Sequence, residues 1–307
     1  MFGRLRKGCC IVVVLLLCSA PVRAQEPSPG APRVPRALPP TTDAKEIVRR
    51  ALELDQSAFR LARNYTFERR VDLKVLDKKG AVKKHEINTY DVTILYDQPY
   101  YRRIRKNDKP LTDQEESREK ERLDKFVAER QNESAAEREK RLAKHEKARE
   151  EERAFVRDIV NAYDFRVVAE EPVDGYDAYV VNAEPRPDFH PTQPHADILP
   201  KLRGKLWISK KDYGWIRLEA ETLDTISWGL FILRIHKGTE FQLEQMHVND
   251  EIWLPRRVSL NASARIGLFT STAFEWESTF SDYKKFTSNT RILPGAAAVD
   301  PHADPHQ

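Results

Sequence analysis

The stretch 206–220, LWISKKDYGWIRLEA, constrains the fold more than any other part of the chain. Leu206 and Ile208 alternate with Trp207 ahead of a polar connector, and Ile216, Leu218 and Ala220 alternate with Trp215, Arg217 and Glu219 behind it. A period of two with one apolar and one wet face belongs to strands, so the stretch predicts a β-hairpin. Its connector carries Asp212 where a type I turn wants it and ends in Gly214, a residue able to take φ > 0. Strict alternation makes Leu206, Ile208, Ile216 and Leu218 one apolar row, with Trp207 and Trp215 on the opposite face. The hairpin holds no metal-ligand cluster, phosphate loop or nucleophile motif.

The same period extends through most of the chain. Asp43 followed by Glu46 has capping-box character, and Ile47, Val48, Ala51, Leu52, Phe59 and Ala62 recur at helical spacing, which predicts an amphipathic helix over 44–63. From Tyr65 the period becomes two: Tyr65, Phe67, Val71, Leu73 and Val75 share a face that Arg69 interrupts. A Lys78-Lys79-Gly80 turn leads to a second strand over 85–96, and a third follows over 100–106. Short turns between antiparallel neighbours make a meander.

Residues 113–153 break the pattern, with 26 of 41 side chains charged, 14 acidic and 12 basic. Pairs such as Glu116/Lys120, Glu121/Lys125 and Glu137/Arg141 at i, i+4 favour helix. Thr112 with Glu115 and Ser134 with Glu137 are capping-box spacings, so the segment reads as a helical hairpin of 113–131 and 135–158, inserted after the third strand. It is a solvated arm, a lid, or a docking device for a protein partner.

Strand patterning then resumes over 163–170, 176–185, 201–209, 214–223, 229–237, 239–248, 251–264 and 269–283. Its interior-facing residues include Leu202, Leu206, Ile208, Ile216, Leu218, Phe241, Leu243, Leu254 and Val258. Gly229 to Ile235 is apolar on both faces, as where a helix covers a strand. About 11 antiparallel strands in a single domain over 44–290 predict an α+β chain, mainly antiparallel β, built as one curved sheet or half-open barrel.

Residues 1–24 read as a secretory signal, with Arg4, Arg6 and Lys7 ahead of a short apolar core and Val22-Arg23-Ala24 at the cut. Residues 25–43 read as a proline-rich linker and 291–307 as a disordered tail. The chain carries 52 basic and 48 acidic residues. Four of the basic ones leave with the signal, so the mature charge balances, which argues against a nucleic-acid partner. Cys9, Cys10 and Cys18, the three cysteines, leave with it too. No disulfide framework and no thiol nucleophile remain.

Candidates for chemistry are few. Asp188, His190, His195 and Asp197 gather metal-capable side chains in DFHPTQPHAD, yet their spacing is not that of a structural zinc site, and Pro187, Pro191 and Pro194 mark a surface loop. His236 and His247 sit in strands as sheet histidines, and His302 and His306 in the tail. The Asn-x-Ser/Thr triplets at Asn64, Asn132 and Asn261 are weak signals. No GxSxG, HExxH, P-loop or dinucleotide fingerprint occurs. No catalytic residue, metal or cofactor is therefore expected, and the chain reads as a non-enzyme. Trp207, Trp215, Trp228, Trp253 and Trp276 read as packing residues or as the rim of an apolar cavity.

Several phrases together carry a resemblance. An amphipathic helix followed by Asn64-Tyr65-Thr66-Phe67, then Tyr96-Asp97-Gln98-Pro99-Tyr100-Tyr101-Arg102, later LWISKKDYGWIRLEAE and Ile252-Trp253-Leu254-Pro255-Arg256-Arg257-Val258, is similar to the outer-membrane lipoprotein-sorting (LolA/LolB-like) superfamily. The resemblance implies a half-open antiparallel barrel with helices across its mouth. It also implies an apolar cavity and carriage of lipid or lipoprotein acyl chains across the periplasm, with transient visits to membrane surfaces. Two departures stand out. The family's arginine before the proline of the third-strand motif is Gln98 here, with Arg69 a possible substitute, and the charged helices exceed what a lid needs. The expected cavity wall is Phe67, Arg69, Val71, Leu206, Ile208, Ile216, Leu218, Phe241 and Leu243. The other reading is an envelope scaffold that binds a protein partner through 113–158.

Overall fold

The computed structural model describes residues 42–286 except 78, 97, 194–195, 229–232 and 267–269. The signal segment, most of the proline-rich linker and the tail lie outside the described residues. Helix α1, Ala44–Ala62, begins at Asp43, whose side chain accepts from the Lys45 amide. Its apolar stripe, Ile47, Val48, Ala51 and Leu52, is buried against Tyr179, Val181, Leu206, Ile208 and Trp215.

Every described strand joins one antiparallel sheet. Strands β1 (Tyr65–Leu76), β2 (Val82–Leu95), β3 (Gln98–Lys106) and β4 (Lys109–Pro110) form the first meander. After the helices come β5 (Tyr163–Val173), β6 (Tyr176–Pro185), β7 (Leu202–Ser209), β8 (Trp215–Thr222), β9 (Ile226–Trp228), β10 (Leu233–Ile235), β11 (Glu240–Val248), β12 (Ile252–Ile266) and β13 (Thr270–Lys285). The spatial order is β4-β3-β2-β1-β13-β12-β11-β8-β7-β6-β5, and β10 pairs with β12 and β9. The sheet does not close on itself, so the fold is a mainly antiparallel α+β half-barrel. Its 13 strands exceed the expected 11. The two-residue β4 adds one and β9, ahead of the expected run over 229–237, adds the other; that run shows β10, with residues 229–232 outside the description.

The β7–β8 hairpin forms, with one correction. Leu206 faces Leu218, Trp207 faces Arg217 and Ile208 faces Trp215, which skips Ile216. A β-bulge inserts one unpaired residue and reverses the facing of everything beyond it relative to strict alternation. Trp215 therefore lies with Leu206 and Ile208 beneath α1, its indole N–H donating to the Ala51 carbonyl at 3.2 Å. Ile216 packs instead with Trp207 and Trp253. Gly214 is not the residue with positive φ; Tyr213 is, at 63°. Gly214 is required by close approach, because a Cβ there would lie 2.0 Å from Trp253 Nε1.

Helices α2 (Asp113–Gln131) and α3 (Ala135–Ala162) carry the chain from one free edge of the sheet to the other, and both expected capping boxes are present at Thr112/Glu115 and Ser134/Glu137. Their main packing partners are other elements: α2 meets β3, and α3 meets α1, β5 and the 3-10 helix Ala196–Lys201. Glu137 serves its cap, and Arg141 pairs with Glu133 at 2.7 Å. Arg130 approaches the same Glu133 carboxylate at 3.6 Å.

Candidate functional site

The inner face of the sheet is the one on which α1 lies, and the strand register traces it across the molecule. From β5 to β1 one row reads Val167, Val181, Leu206, Leu218, Leu243, Val258, Ser278 and Val71. A parallel row reads Phe165, Ala183, Gly204, Ala220, Phe241, Leu260, Trp276 and Leu73. Antiparallel partners project to the same side, so these rows are a single apolar surface.

That surface has two halves. Over β5–β8 it is sealed: α1 and the C-terminal turns of α3, through Val156, Ile159 and Val160, bury Leu206 and Ile208 to 4% and 0% exposure. Over β11, β12, β13 and β1 the same face is mixed: Val258, Ala262, Ala264, Ser278 and Phe280 are buried, and others are half-buried. Phe241 and Leu243, Leu260, Phe274 and Trp276, and Phe67, Val71, Leu73 and Val75 all retain accessible surface. Apolar side chains gathered on one face and left accessible mark a contact surface.

Of the residues expected to line a cavity, Phe67, Arg69, Val71, Phe241 and Leu243 lie on this open strip. Leu218 sits at its border with the core. Leu206 and Ile208 belong to the core under α1, and Ile216 lies on the other face. Leu73, Val75, Leu260, Phe274 and Trp276 were absent from the expected set, although the same two-residue period that selected Phe67 and Val71 points to them.

Arg69 stands in the middle of the strip. Its Nε donates to the Ser278 hydroxyl at 2.8 Å. Its guanidinium carbon lies 5.8 Å from the Tyr101 ring centre, 5.7 Å from that of Trp276 and 5.4 Å from that of Phe280. Aromatic faces attract a cation at such distances. Phe67 packs at 5.3 Å on Tyr283, whose hydroxyl donates to the Pro255 carbonyl at 2.6 Å. Burial pushes the Tyr283 hydroxyl's pKa well above its ordinary value, against the opposing pull of the Arg69 charge.

The outer face carries the apolar cluster of Val180, Trp207, Ile216 and Trp253 and, elsewhere, polar side chains. A groove of about 390 Å³ there is rimmed by Glu184, Arg203, Lys205, Glu219, Glu221 and Glu240, residues that alternate with the inner rows, and Arg203 and Glu221 pair at 2.7 Å. It offers no apolar enclosure. Among the described residues no cluster of three or more metal-capable side chains forms. In the DFHPTQPHAD loop Asp188 pairs with Arg186 at 2.7 Å, and His195 lies outside the described residues. The loop is held by Asp158 of α3, which accepts from the Thr192 and Gln193 amides at 3.0 and 3.1 Å. No described helix is long and apolar enough to cross a membrane.

An open antiparallel sheet with an amphipathic helix seated on its apolar face defines a half-barrel fold. Three solved structures are similar to the chain. A LolA superfamily protein from Nitrosomonas europaea shares 12% identity at a TM-score of 0.27, over 82% of this chain and 94% of that one. A DUF1329 family protein from Desulfovibrio piger shares 11% at 0.28, over 81% and 95%. A domain assigned to outer membrane lipoprotein sorting, from Vibrio parahaemolyticus, shares 13% at 0.27, over 78% and 94%. Two of these bear the name of the family that the strand phrases resemble; scores of this size leave the site to be argued from the chain's own residues. No family model matches, and no curated protein matches.

Proposed function

We propose that the chain is a non-enzymatic lipid-binding protein of the cell envelope, a single domain over 44–290 that holds an acyl chain on the open half of its inner face and releases it without covalent chemistry. The observation that carries the reading is the set of half-buried apolar side chains Phe67, Val71, Leu73, Phe241, Leu243 and Trp276 on the face that α1 covers over β5–β8 and at the near end of β12. The leader-like residues 1–24 support export to the periplasm.

The energetics suit a carrier. Each methylene removed from water contributes ~0.8 kcal/mol, so ten contribute ~8 kcal/mol. That gross gain corresponds to about micromolar binding before association costs are subtracted. Such a ligand leaves readily, and donor and acceptor affinities alone set the direction of transfer.

The test is titration of the purified protein with lipid micelles and vesicles, read by tryptophan emission and by co-elution on gel filtration. Saturable binding is expected, with loss of at least tenfold in affinity for Leu243→Asp. A solvent extract free of lipid, together with no saturable binding of any acyl probe, overturns the reading.

A further inference from the structure

The inner-face strip contains one cation, and its surroundings specify the kind of head group a bound chain carries. We infer that Arg69 is the anchor for the carboxylate of a long-chain fatty acid, an assignment that rests on the lipid-binding reading and narrows it to a substrate class.

Arg69 differs from the other arginines of its neighbourhood in what it lacks. Arg70 pairs with Asp108, Arg102 with Asp91, Arg105 with Glu68 and Arg257 with Glu277. Among the described residues no carboxylate pairs with Arg69, and its one hydrogen bond is the Nε donation to Ser278. The terminal nitrogens are neither bonded nor sealed from solvent. An arginine stays ionised at any ordinary pH and presents five donors in a planar fork. Placed in an apolar strip, such a charge is costly unless an anion meets it. The three rings around it hold the guanidinium in place and offset part of that cost, but they satisfy none of its N–H donors.

The geometry selects the head and the tail. Ser278 occupies Nε, which leaves the edge formed by the two terminal nitrogens to face a ligand. Two parallel N–H groups match the two oxygens of a carboxylate. Among the described residues no second cation stands in the inner rows of β11, β12, β13 and β1, and Arg103 on the same face of β3 is engaged by Glu119 at 3.7 Å. One positive charge suits a monoanion. From Arg69 the apolar side chains continue along β1 through Val71, Leu73 and Val75, a run of six residues or ~20 Å at ~3.3 Å per residue. Trp276 and Phe274 of β13 flank it. That length accommodates a long acyl tail.

The experiment compares palmitate with hexadecanol, which has the same tail and a neutral head, on the full chain by titration calorimetry at pH 8. Palmitate is expected to bind at least tenfold more tightly. Arg69→Leu is expected to reduce palmitate affinity to that of the alcohol while leaving the alcohol unchanged, and Arg69→Lys to recover only part of the difference. Equal affinities of the two ligands for the wild type overturn the head-group assignment, and this comparison needs no variant to fold. Equal loss of both ligands in a folded Arg69→Leu protein also overturns it, because the arginine would then be only structural. Binding of neither ligand overturns the lipid-binding reading itself. Phosphatidylglycerol binding that depends on Arg69 when palmitate binding does not would reassign the site to a phosphate head and overturn the fatty-acid proposal.

Discussion

The two halves of the inner face are built from the same alternation and come to different ends. Across β5–β8 the row Val181, Leu206, Leu218 closes under α1, which also reaches β12, where Ala58 and Ala62 pack on Ile252 and Leu254; farther along the face Leu243, Val71, Leu73 and Trp276 stay half-buried. A strand's pattern therefore states which side is apolar, and the placement of one helix decides whether that side becomes core or surface. Helix α1 is 19 residues, ~29 Å at 1.5 Å per residue, and its main partners in the sheet, β5, β7 and β12, leave Val71, Leu73 and Trp276 half-buried.

The largest effect expected from this contrast is on stability. Ile208, fully buried under α1, should cost about 2–5 kcal/mol when replaced by alanine, through lost transfer energy and a cavity. Leu243→Ala, on the same face but in the open half, should cost under about 1 kcal/mol. Urea melts of the two variants measure both. If they lose equal stability, the open half is packed in solution and the contrast fails.

Much of this contrast was legible in the residues. The period of two, the first helix, the two capping boxes and the inner-face membership of Phe67, Val71, Phe241 and Leu243 follow from side-chain spacing alone. Three things do not. The bulge at Ile216 breaks parity without any proline or glycine at that position to announce it. The choice between core and open strip depends on where α1 docks, which its amphipathic stripe leaves open. The reason for Gly214 lies in Trp253, 39 positions away in the chain, and only the fold brings the two together. Some turn chemistry was available and unread: Asn107-Asp108, Asp174-Gly175 and Asn249-Asp250 each take positive φ at both positions, the pattern of two-residue hairpin turns.

A second, smaller effect comes through pH, because α1 holds a titratable group, Asp55, against Gln245 of β11. Asp55 is pushed from 3.8 up to about 6 by burial, which the Gln245 amide partly opposes. Gln245 lies at the β11 bulge, and its Oε1 is buried without a partner. A protonated Asp55 supplies the missing donor, so the fold favours the neutral acid. A raised carboxyl pKa means that the folded state holds its proton more tightly than the unfolded chain. Stability is then full below about pH 4, falls as pH rises from about 4 to 6, and is flat above. The loss is on the order of 3 kcal/mol. Asn is neutral and offers both a donor and an acceptor, so Asp55→Asn should match the wild type at pH 4 and exceed it at pH 7. Thermal melts across pH 4–8 read this directly, and parallel pH profiles for the two proteins would remove Asp55 from the account.

The smallest effect on stability concerns the charged helices, where the two ends of the sheet differ again. β4 pairs only with Arg105 and Lys106, leaving the middle of β3 as a free edge. Helix α2 meets that edge with side chains in place of a strand: Glu119 accepts from the Arg103 amide at 3.3 Å, and Arg122 donates to the Tyr101 carbonyl. Phe126 packs at a tilt on Tyr100, ring centres 5.1 Å apart, and holds the helix there. Unpaired edges invite pairing with other chains, and charged groups on them prevent it. At the opposite end β5 interrupts its own edge with the Val167/Ala169 bulge and Pro172, needing no such cover. Replacing Glu119 and Arg122 together by alanine should therefore cost only about 1 kcal/mol in a dilute melt, yet produce concentration-dependent association in sedimentation velocity. A bulge-free β5 without Pro172 should behave likewise at its own edge. A monomeric double variant would mean that α2 guards nothing, and would return its charges to the role of a docking arm for a protein partner.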